Sequence, residues 1–295
     1  THWLPHCMSS NKPFWPRVSP HFLACRRGVR AAGLDHAVAV GLSGGADSLA
    51  LMAALVAEGH DVLALCVDHG LQDGSRAQAE YAAEQARELG ARARVLSVEA
   101  GGAGPESMEA AARMARYRVL ADACAAEELE VAVAHTADDQ AETLLLGALR
   151  GRVTGMSERS EVEGARVVRP LLGVRRADTE GACAELGLSA WQDPQNMDRN
   201  FRRVALRREV IPQLSRIIGG DAVPALAQAA SDAALDDAAL RTPPTTDCAD
   251  LAAMAEPRRR RAIAAWLVGE GVEVTRKGVG DVGKLCTHWH GQGPV

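Results

Sequence analysis

The sequence predicts an α/β fold, a parallel sheet with helices on both faces, followed by a small helical domain. Three observations predict it. Short apolar β-type runs alternate with helical stretches from residue 37 to about residue 150. The first run ends in a glycine turn that opens directly into a helix, AVAVGLSGGADS at Ala37–Ser48. Beyond residue 218 the β-type runs stop and only helical patterns remain.

The elements follow in order. Residues 1–16 are polar and rich in Pro, His and Trp, and read as disordered or vector-derived, with Met8 as a candidate start. Phe14–Gly33 reads as one or two short amphipathic helices. Ala37–Leu42 is a buried strand, Ser43–Ala46 a turn, and Asp47 and Ser48 open a helix continuing to Glu58. A second strand, Asp61–Asp68, leads into helix Ser75–Gly90, with Gly90 as its C-cap. Strand Ala93–Val98, loop Gly101–Pro105, helix Ser107–Glu128, strand Leu129–Ala134 and helix Asp138–Arg150 follow. Residues 151–166 are polar, and Val167–Leu172 with helix Val174–Leu186 closes the first unit. Trp191–Asn200 is a turn-rich link before an Arg-heavy helix, Phe201–Ile218, interrupted by Pro212. Asp221–Leu240 and Asp247–Glu270 read as single helices, separated by the Pro-Pro pair at 243–244. The domain boundary is placed at Ile218-Gly219-Gly220, giving domains 17–218 and 219–295.

Composition limits the function. At 47% hydrophobic and 24% charged, the chain has the balance of an ordinary globular protein. Aromatics are only 3%, so the core must be built from Ala, Leu and Val. The formal charge of −5 does not advertise a nucleic-acid binder. The distribution does: Arg199, Arg202, Arg203, Arg207, Arg208 and Arg216 cluster around a single Glu209, and Arg258–Arg261 are consecutive. The seven cysteines include no CxxC pair, which argues for reduced thiols in a cytoplasmic protein with neither a zinc site nor a disulfide framework. No apolar run reaches the length of a membrane span, and no membrane role is expected.

The chemistry-bearing motifs all fall where strands end, the edge at which α/β sheets bind ligands. In SGGADS, Gly44 and Gly45 let the backbone approach an anion, Ala46 completes the turn, and the helix N-terminus favours negative charge. Ser43 and Ser48 add hydroxyl donors, and Asp47 could hold Mg²⁺ against phosphate oxygens. No Lys follows the glycines, so this is not a Walker loop. Asp68 ends the second strand in VDHG. In EAAARMARY, Arg113 and Arg116 share one helix face. In HTADDQAET, His135 leaves a strand, and Asp138 and Glu142, four apart, point the same way. Such a pair can hold Mg²⁺, orient an amine or accept its proton, and acidic residues there can also simply cap the helix.

SGGADS resembles the PP-loop of the N-type ATP pyrophosphatases, whose fold is Rossmann-like (adenine nucleotide alpha hydrolase-like). These enzymes cleave ATP between its α and β phosphates, adenylate an oxygen and let a nucleophile displace AMP. The ordered set SGGADS, VDHGLQ, EAAARMARYR, AHTADDQAETLLLGALRG, RPLL, WQDPQN and RREVIPQL resembles the tRNA(Ile)-lysidine synthases from about Pro16 to the C-terminus. The resemblance implies that ATP activates C2 of cytidine 34 in a CAU-bearing tRNA(Ile), and that free L-lysine displaces AMP to give lysidine. It implies catalytic roles for Asp47, His135, Asp138 and Glu142. It implies ATP contacts at residues 43–48 and Asp68, with Mg²⁺ on Asp47. The substrate side would comprise Arg113, Arg116, Asp139, Arg150, Arg169, Arg203, Arg207, Arg208, Arg258 and Arg259. A homodimer is left open.

Three departures from the family pattern stand out. Thr136 replaces a frequent second His, Ala205 stands where a further basic residue is usual, and the chain stops at WHGQGPV where relatives continue. The rival readings are a cytidine thiolase, which would need paired cysteines, an NAD- or GMP-type synthetase, which leaves EAAARMARY and AHTADDQAET unexplained, and a nucleotide-binding regulator without catalysis.

Overall fold

The computed structural model describes residues 15–68, 70, 74–98, 105–191, 201–272 and 274–288. The expectations for residues 1–14, for His69, for residues 192–200 of the WQDPQN link and for the final WHGQGPV lie outside them. The chain forms two compact units, Thr1–Ser231 and Asp232–Val295.

In the first unit, α1 (Pro20–Ala31) precedes β1 (Ala37–Gly41), α2 (Ala46–Ala57), β2 (Asp61–Asp68), α3 (Ser75–Glu88) and β3 (Arg92–Ser97). Then come α4 (Pro105–Ala125), β4 (Val131–Ala132), α5 (Ala137–Leu149), β5 (Arg159–Val162), β6 (Ala165–Val168) and α6 (Arg176–Leu186). The sheet order is β3-β2-β1-β4-β6-β5. All neighbours are parallel except β5 and β6, an antiparallel hairpin that the polarity of residues 151–166 had concealed. Glu163 and Gly164 turn that hairpin, both with positive φ. Chain order reverses at β1, so the open crevice lies between the carboxyl ends of β1 and β4. SGGADS follows the first strand and HTADDQ the second.

The core is aliphatic, as composition required. Val38, Val40, Leu49, Leu51, Met52, Leu55, Val62 and a run of alanines pack on one face of the sheet. Ala39, Leu63, Leu65, Tyr117, Leu120, Val131 and Val167 fill the other. Helix α2 is apolar all round because it is covered on every side, with residues 48–55 all buried. Beside the large aliphatic core, Trp15 stacks on buried Phe22 at 5.3 Å.

The Arg-heavy segment departs from a simple helix. It runs as α7 (Arg202–Ala205), a π-helical turn (Leu206–Val210) and α8 (Ile211–Ile218). Pro212 sits in the first turn of α8, where its missing N–H costs little, so the interruption falls as a π turn just before it. The division between units lies past the expected Ile218-Gly219-Gly220, inside α9 (Val223–Ala239). Gly219 is only a left-handed C-cap of α8. Val223 and Ala227 of α9 pack with Ala137, Ala141 and Ile211, which holds the start of that helix in the first unit.

The second unit contains α10 (Cys248–Ala253), α11 (Glu256–Gly269) and α12 (Arg276–Thr287). The single helix expected over Asp247–Glu270 is broken at Met254-Ala255, and Pro257 starts the next one in its favoured first-turn position. The apolar centre of this unit is Leu251, Ala262, Ile263 and Val279. No helix among the described residues is long and apolar enough to cross a membrane.

Candidate active site

The glycine turn after β1 is shaped for an anion. Gly44 has φ +82°, and a Cβ there would lie 3.0 Å from Gln78 Nε2 and 3.3 Å from Ala82 Cβ. Glycine is therefore required on both conformational and spatial grounds. Ser48 Oγ donates to the Gly45 carbonyl at 3.0 Å, accepts from the Ser43 N–H at 3.2 Å and lies 3.0 Å from Ser43 Oγ. The Trp191 N–H donates to the Gly44 carbonyl at 2.9 Å, which ties the start of the WQDPQN link to the loop. Gly45 caps α2 without any side-chain acceptor, so the first N–H groups of that helix stay available. Gln78 Nε2, buried beside Gly44, has no hydrogen-bond partner. Donors gathered without an acceptor are what a phosphate chain needs. At the end of β2, Asp68 Oδ1 accepts from the Gly70 N–H at 3.0 Å and the Ser75 hydroxyl at 2.6 Å, and so fixes the turn into α3.

Across the crevice, Thr136 is the N-cap of α5 and forms a capping box with Asp139. Asp139 Oδ2 accepts from the Thr136 N–H at 2.8 Å and its hydroxyl at 2.9 Å. The residue that replaces the second His is thus the one that starts the helix. Asp139, expected to touch tRNA, is turned inward by this box and by Arg176.

Arg176, which the sequence reading did not single out, organises the site. Its guanidinium lies 2.7 Å from Asp139, 3.4 Å from Glu142 and 3.4 Å from Asp47, and its N–H donates to Asp138 Oδ2 at 2.8 Å. Arg175 grips Asp138 at 3.1 and 3.2 Å. The Thr179 hydroxyl donates to Asp47. Glu142 is fully buried and meets Arg207 at 2.7 Å, Arg176 at 3.4 Å and Arg203 at 3.5 Å. Expected to handle the incoming amine, Glu142 is instead the anchor of three guanidiniums. Arg207, expected on the tRNA surface, points inward to it. Asp138, whose side chain is 17% exposed, is the more open of the pair. Burial pushes the Asp138 and Asp139 carboxyls up, but their arginine and backbone partners outweigh it and both end below the usual range. For Asp47 burial prevails over Arg176 and Thr179, and its carboxyl lies above that range. Nothing about Arg175-Arg176 stands out in sequence except two bases at a helix start, where the dipole disfavours them.

On that same wall, the surroundings of His135 are cationic. His135 Nδ1 is buried with no partner. Burial, with Arg169, Arg113 and Arg203 nearby, holds the imidazole down at about 4 against the pull of Asp139, so it is neutral at pH 7. Arg169 is itself buried: Nη1 donates to the Ser157 carbonyl at 2.8 Å and to Ser160 Oγ at 2.9 Å, while Nε lacks a partner. Arg169, expected on the substrate side, is held as an internal strut at the end of β6. Arg113 is exposed and lies over the Tyr117 ring at 5.2 Å, and Arg116 is also exposed.

Further along α5, a cleft of about 240 Å³ is lined by Thr143, Gly147, Arg150, Arg152, Thr154 and Arg203. Gly147 leaves no room for a side chain, since a Cβ there would come 2.6 Å from Thr154 Cγ2 and 2.7 Å from the Arg152 carbonyl oxygen. Arg150 and Arg152 are exposed and make no ion pair among the described residues. Arg208 is exposed too. In the second unit Arg258 is exposed, but Arg259 Nη1 donates to the Met254 carbonyl at 3.1 Å, a structural use that sequence could not separate from RNA binding. Arg260 meets Glu256 at 3.6 Å and Arg261 meets Asp237 at 2.8 Å. No group of three His, Cys, Asp or Glu residues among the described ones could by itself hold a metal ion.

Residues 28–214 match the family described as the PP-loop domain. The chain is 49% identical over 288 residues to a tRNA(Ile)-lysidine synthase of Corynebacterium glutamicum, covering 95% of this chain and 90% of that protein. It is 53% identical over 283 residues to a tRNA(Ile)-lysidine synthase of Corynebacterium diphtheriae, covering 96% and 93%. Among solved structures it resembles the U34-tRNA thiolase NcsA of Methanococcus maripaludis, with TM-score 0.56 and 18% identity over 70% of this chain and 78% of that one, a likeness of fold alone. The PP-loop after β1, the acidic start of α5 and identities near one half over nearly the whole length lead to one conclusion: the chain is a member of the PP-loop family and, within it, of the tRNA(Ile)-lysidine synthases.

Proposed function

We propose that this chain ligates the ε-amine of free L-lysine to C2 of cytidine 34 in a CAU-anticodon tRNA(Ile), after ATP has adenylated the base. AMP and pyrophosphate leave. The observation that carries the reading is the crevice at the sheet's switch point, with unsatisfied donors on one wall and ordered carboxylates and a neutral imidazole on the other.

The loop fits a nucleotide. The N–H groups at the start of α2, the Ser43 and Ser48 hydroxyls and the orphaned Gln78 amide would bind the β and γ phosphates. Asp47 would hold Mg²⁺, which needs only one or two carboxylates when phosphates supply the remaining oxygens. Its 3.4 Å contact with Arg176 is the loosest of its bonds and the one to yield. Bound Mg²⁺ would supply charge neutralisation on the departing pyrophosphate. His135, uncharged among the neighbouring arginines, would hydrogen-bond the cytidine edge through its imidazole. Asp138 would receive the lysine ammonium in a charge-assisted bond and take its proton before attack. Arg113, Arg150 and Arg152, all exposed, would meet tRNA phosphates. The free thiols of the described cysteines suit a reducing, cytoplasmic setting.

The test is direct. The chain is incubated with ATP, L-lysine and unmodified tRNA(Ile), and the nucleoside at position 34 is weighed. A lysine-bearing cytidine with stoichiometric AMP is expected. A sulfur-bearing base, or ATP binding without pyrophosphate release, would hand the site to a thiolase or to a regulator. Asp47→Ala should abolish pyrophosphate release while leaving the melting curve in place.

A further inference from the structure

Six cysteines lie among the described residues, and they fall into two kinds. Cys25, Cys66, Cys124 and Cys183 are buried, and burial pushes their thiols up to about 12, 11, 11 and 12. Thiols so placed are inert at neutral pH. Cys248 and Cys286 differ: Cys248 is exposed, Cys286 half-buried, and the Cys286 thiol donates to Cys248 Sγ at 3.4 Å.

The place of this pair in the fold gives it a use. Cys248 is the first residue of α10, where Asp247 caps the helix, and Cys286 lies in the last turn of α12. Helix α10 is only six residues long. It is held by Leu251 in the small apolar centre and by Arg259, which takes the Leu251 and Met254 carbonyls. A unit with so small a core is of the size that proteins commonly staple with a covalent bond. The two sulfurs are 38 positions apart in sequence and need to close only from 3.4 Å to about 2.0 Å.

We infer that Cys248 and Cys286 form a reversible redox site in which oxidation to a disulfide staples α10 to α12. The oxidant is a peroxide or a small-molecule disulfide. With peroxide, the Cys248 thiolate attacks one oxygen, giving a sulfenic acid and water. The Cys286 sulfur then displaces the second oxygen as water, leaving one S–S bond. Two thiols lose two electrons and two protons, and one peroxide becomes two waters. Exposed Cys248 is the attacking sulfur and Cys286, held against it, the resolving one. None of this depends on the ligase reading.

The full-length chain, reduced and then treated with one equivalent of hydrogen peroxide, should lose two alkylatable thiols. Peptide mapping should show Cys248 joined to Cys286, with the four buried cysteines still free after unfolding. The melting temperature should rise, fall back with dithiothreitol, and not respond to oxidant in Cys248→Ser or Cys286→Ser. Glutathione disulfide should give the same cross-link in the wild type and, in either variant, a mixed disulfide at whichever of Cys248 and Cys286 remains. Separate modification of both sulfurs without a cross-link, oxidation of the buried cysteines at the same rate, or a cross-link that leaves the melting temperature unchanged would overturn the inference.

Discussion

Two arginine-rich stretches look alike in the sequence and do different work in the structure. Residues 202–208 send Arg203 and Arg207 inward to a fully buried glutamate, Glu142. Residues 258–261 stay at the surface, where Arg260 and Arg261 make exposed pairs and Arg259 holds the end of α10. The difference lies in the partner rather than in the arginine. A buried carboxylate cannot be left alone, because removing its counter-charges costs several kcal/mol, whereas an exposed ion pair contributes about 0–1 kcal/mol. The inner cluster is therefore fixed by a buried charge, and the outer one keeps only solvent-exposed carboxylate partners.

Glu142→Ala should break the inner cluster most severely. Three guanidiniums would lose their common partner, and the variant should be destabilised by about 3–5 kcal/mol in urea melts. Arg258→Ser should stay within about 0.5 kcal/mol of wild type. Equal melts for these two variants would dissolve the contrast between the clusters.

Acid should expose the same asymmetry. His135 titrates at about 4 in the fold and near 6.5 when unfolded, so the unfolded chain binds its proton first. The stability that its neutrality contributes is complete above pH 6.5 and is lost as pH falls through about 4, up to about 3 kcal/mol. His135→Gln should remove that slope between pH 6.5 and 4. The lowered Asp138 and Asp139 carboxyls lose their contribution in the same direction at lower pH, and that part should persist in the variant. Identical acid profiles would mean that the imidazole is not held neutral.

Asp138→Asn keeps size and hydrogen bonding but removes the charge that Arg175 and the incoming lysine would share. We expect KM for lysine to rise about tenfold and kcat to fall, with tRNA-dependent pyrophosphate release persisting. Loss of adenylation with normal lysine dependence would assign this carboxylate to the ATP half.

The smallest effect tests the outer cluster. Changing Arg258, Arg260 and Arg261 to Ser while keeping Arg259 should leave stability and saturated turnover intact. It should lower the slope of log affinity for tRNA against log salt by about 3, close to one counterion per phosphate contact. An unchanged slope would make the run a solvated helix face.

The sequence by itself determined the α/β architecture, the anion turn at Ser43–Ser48 and the acidic helix start after β4, because each is local. Strand periodicity, a glycine forced to positive φ and a cap are written within a few adjacent residues. Thr136 belongs to the same class, since its capping box needs only Asp139 three positions on. The tertiary structure alone decided the fate of the charges. Arg176 reaches Asp47 across 129 positions and Arg207 reaches Glu142 across 65, and no local pattern announces such partners. The break between units within α9, the β5–β6 hairpin and the inward turn of Arg169 have the same origin. Which helix face is covered, and which guanidinium finds a carboxylate, depend on elements distant in the chain that meet only when the sheet closes the crevice.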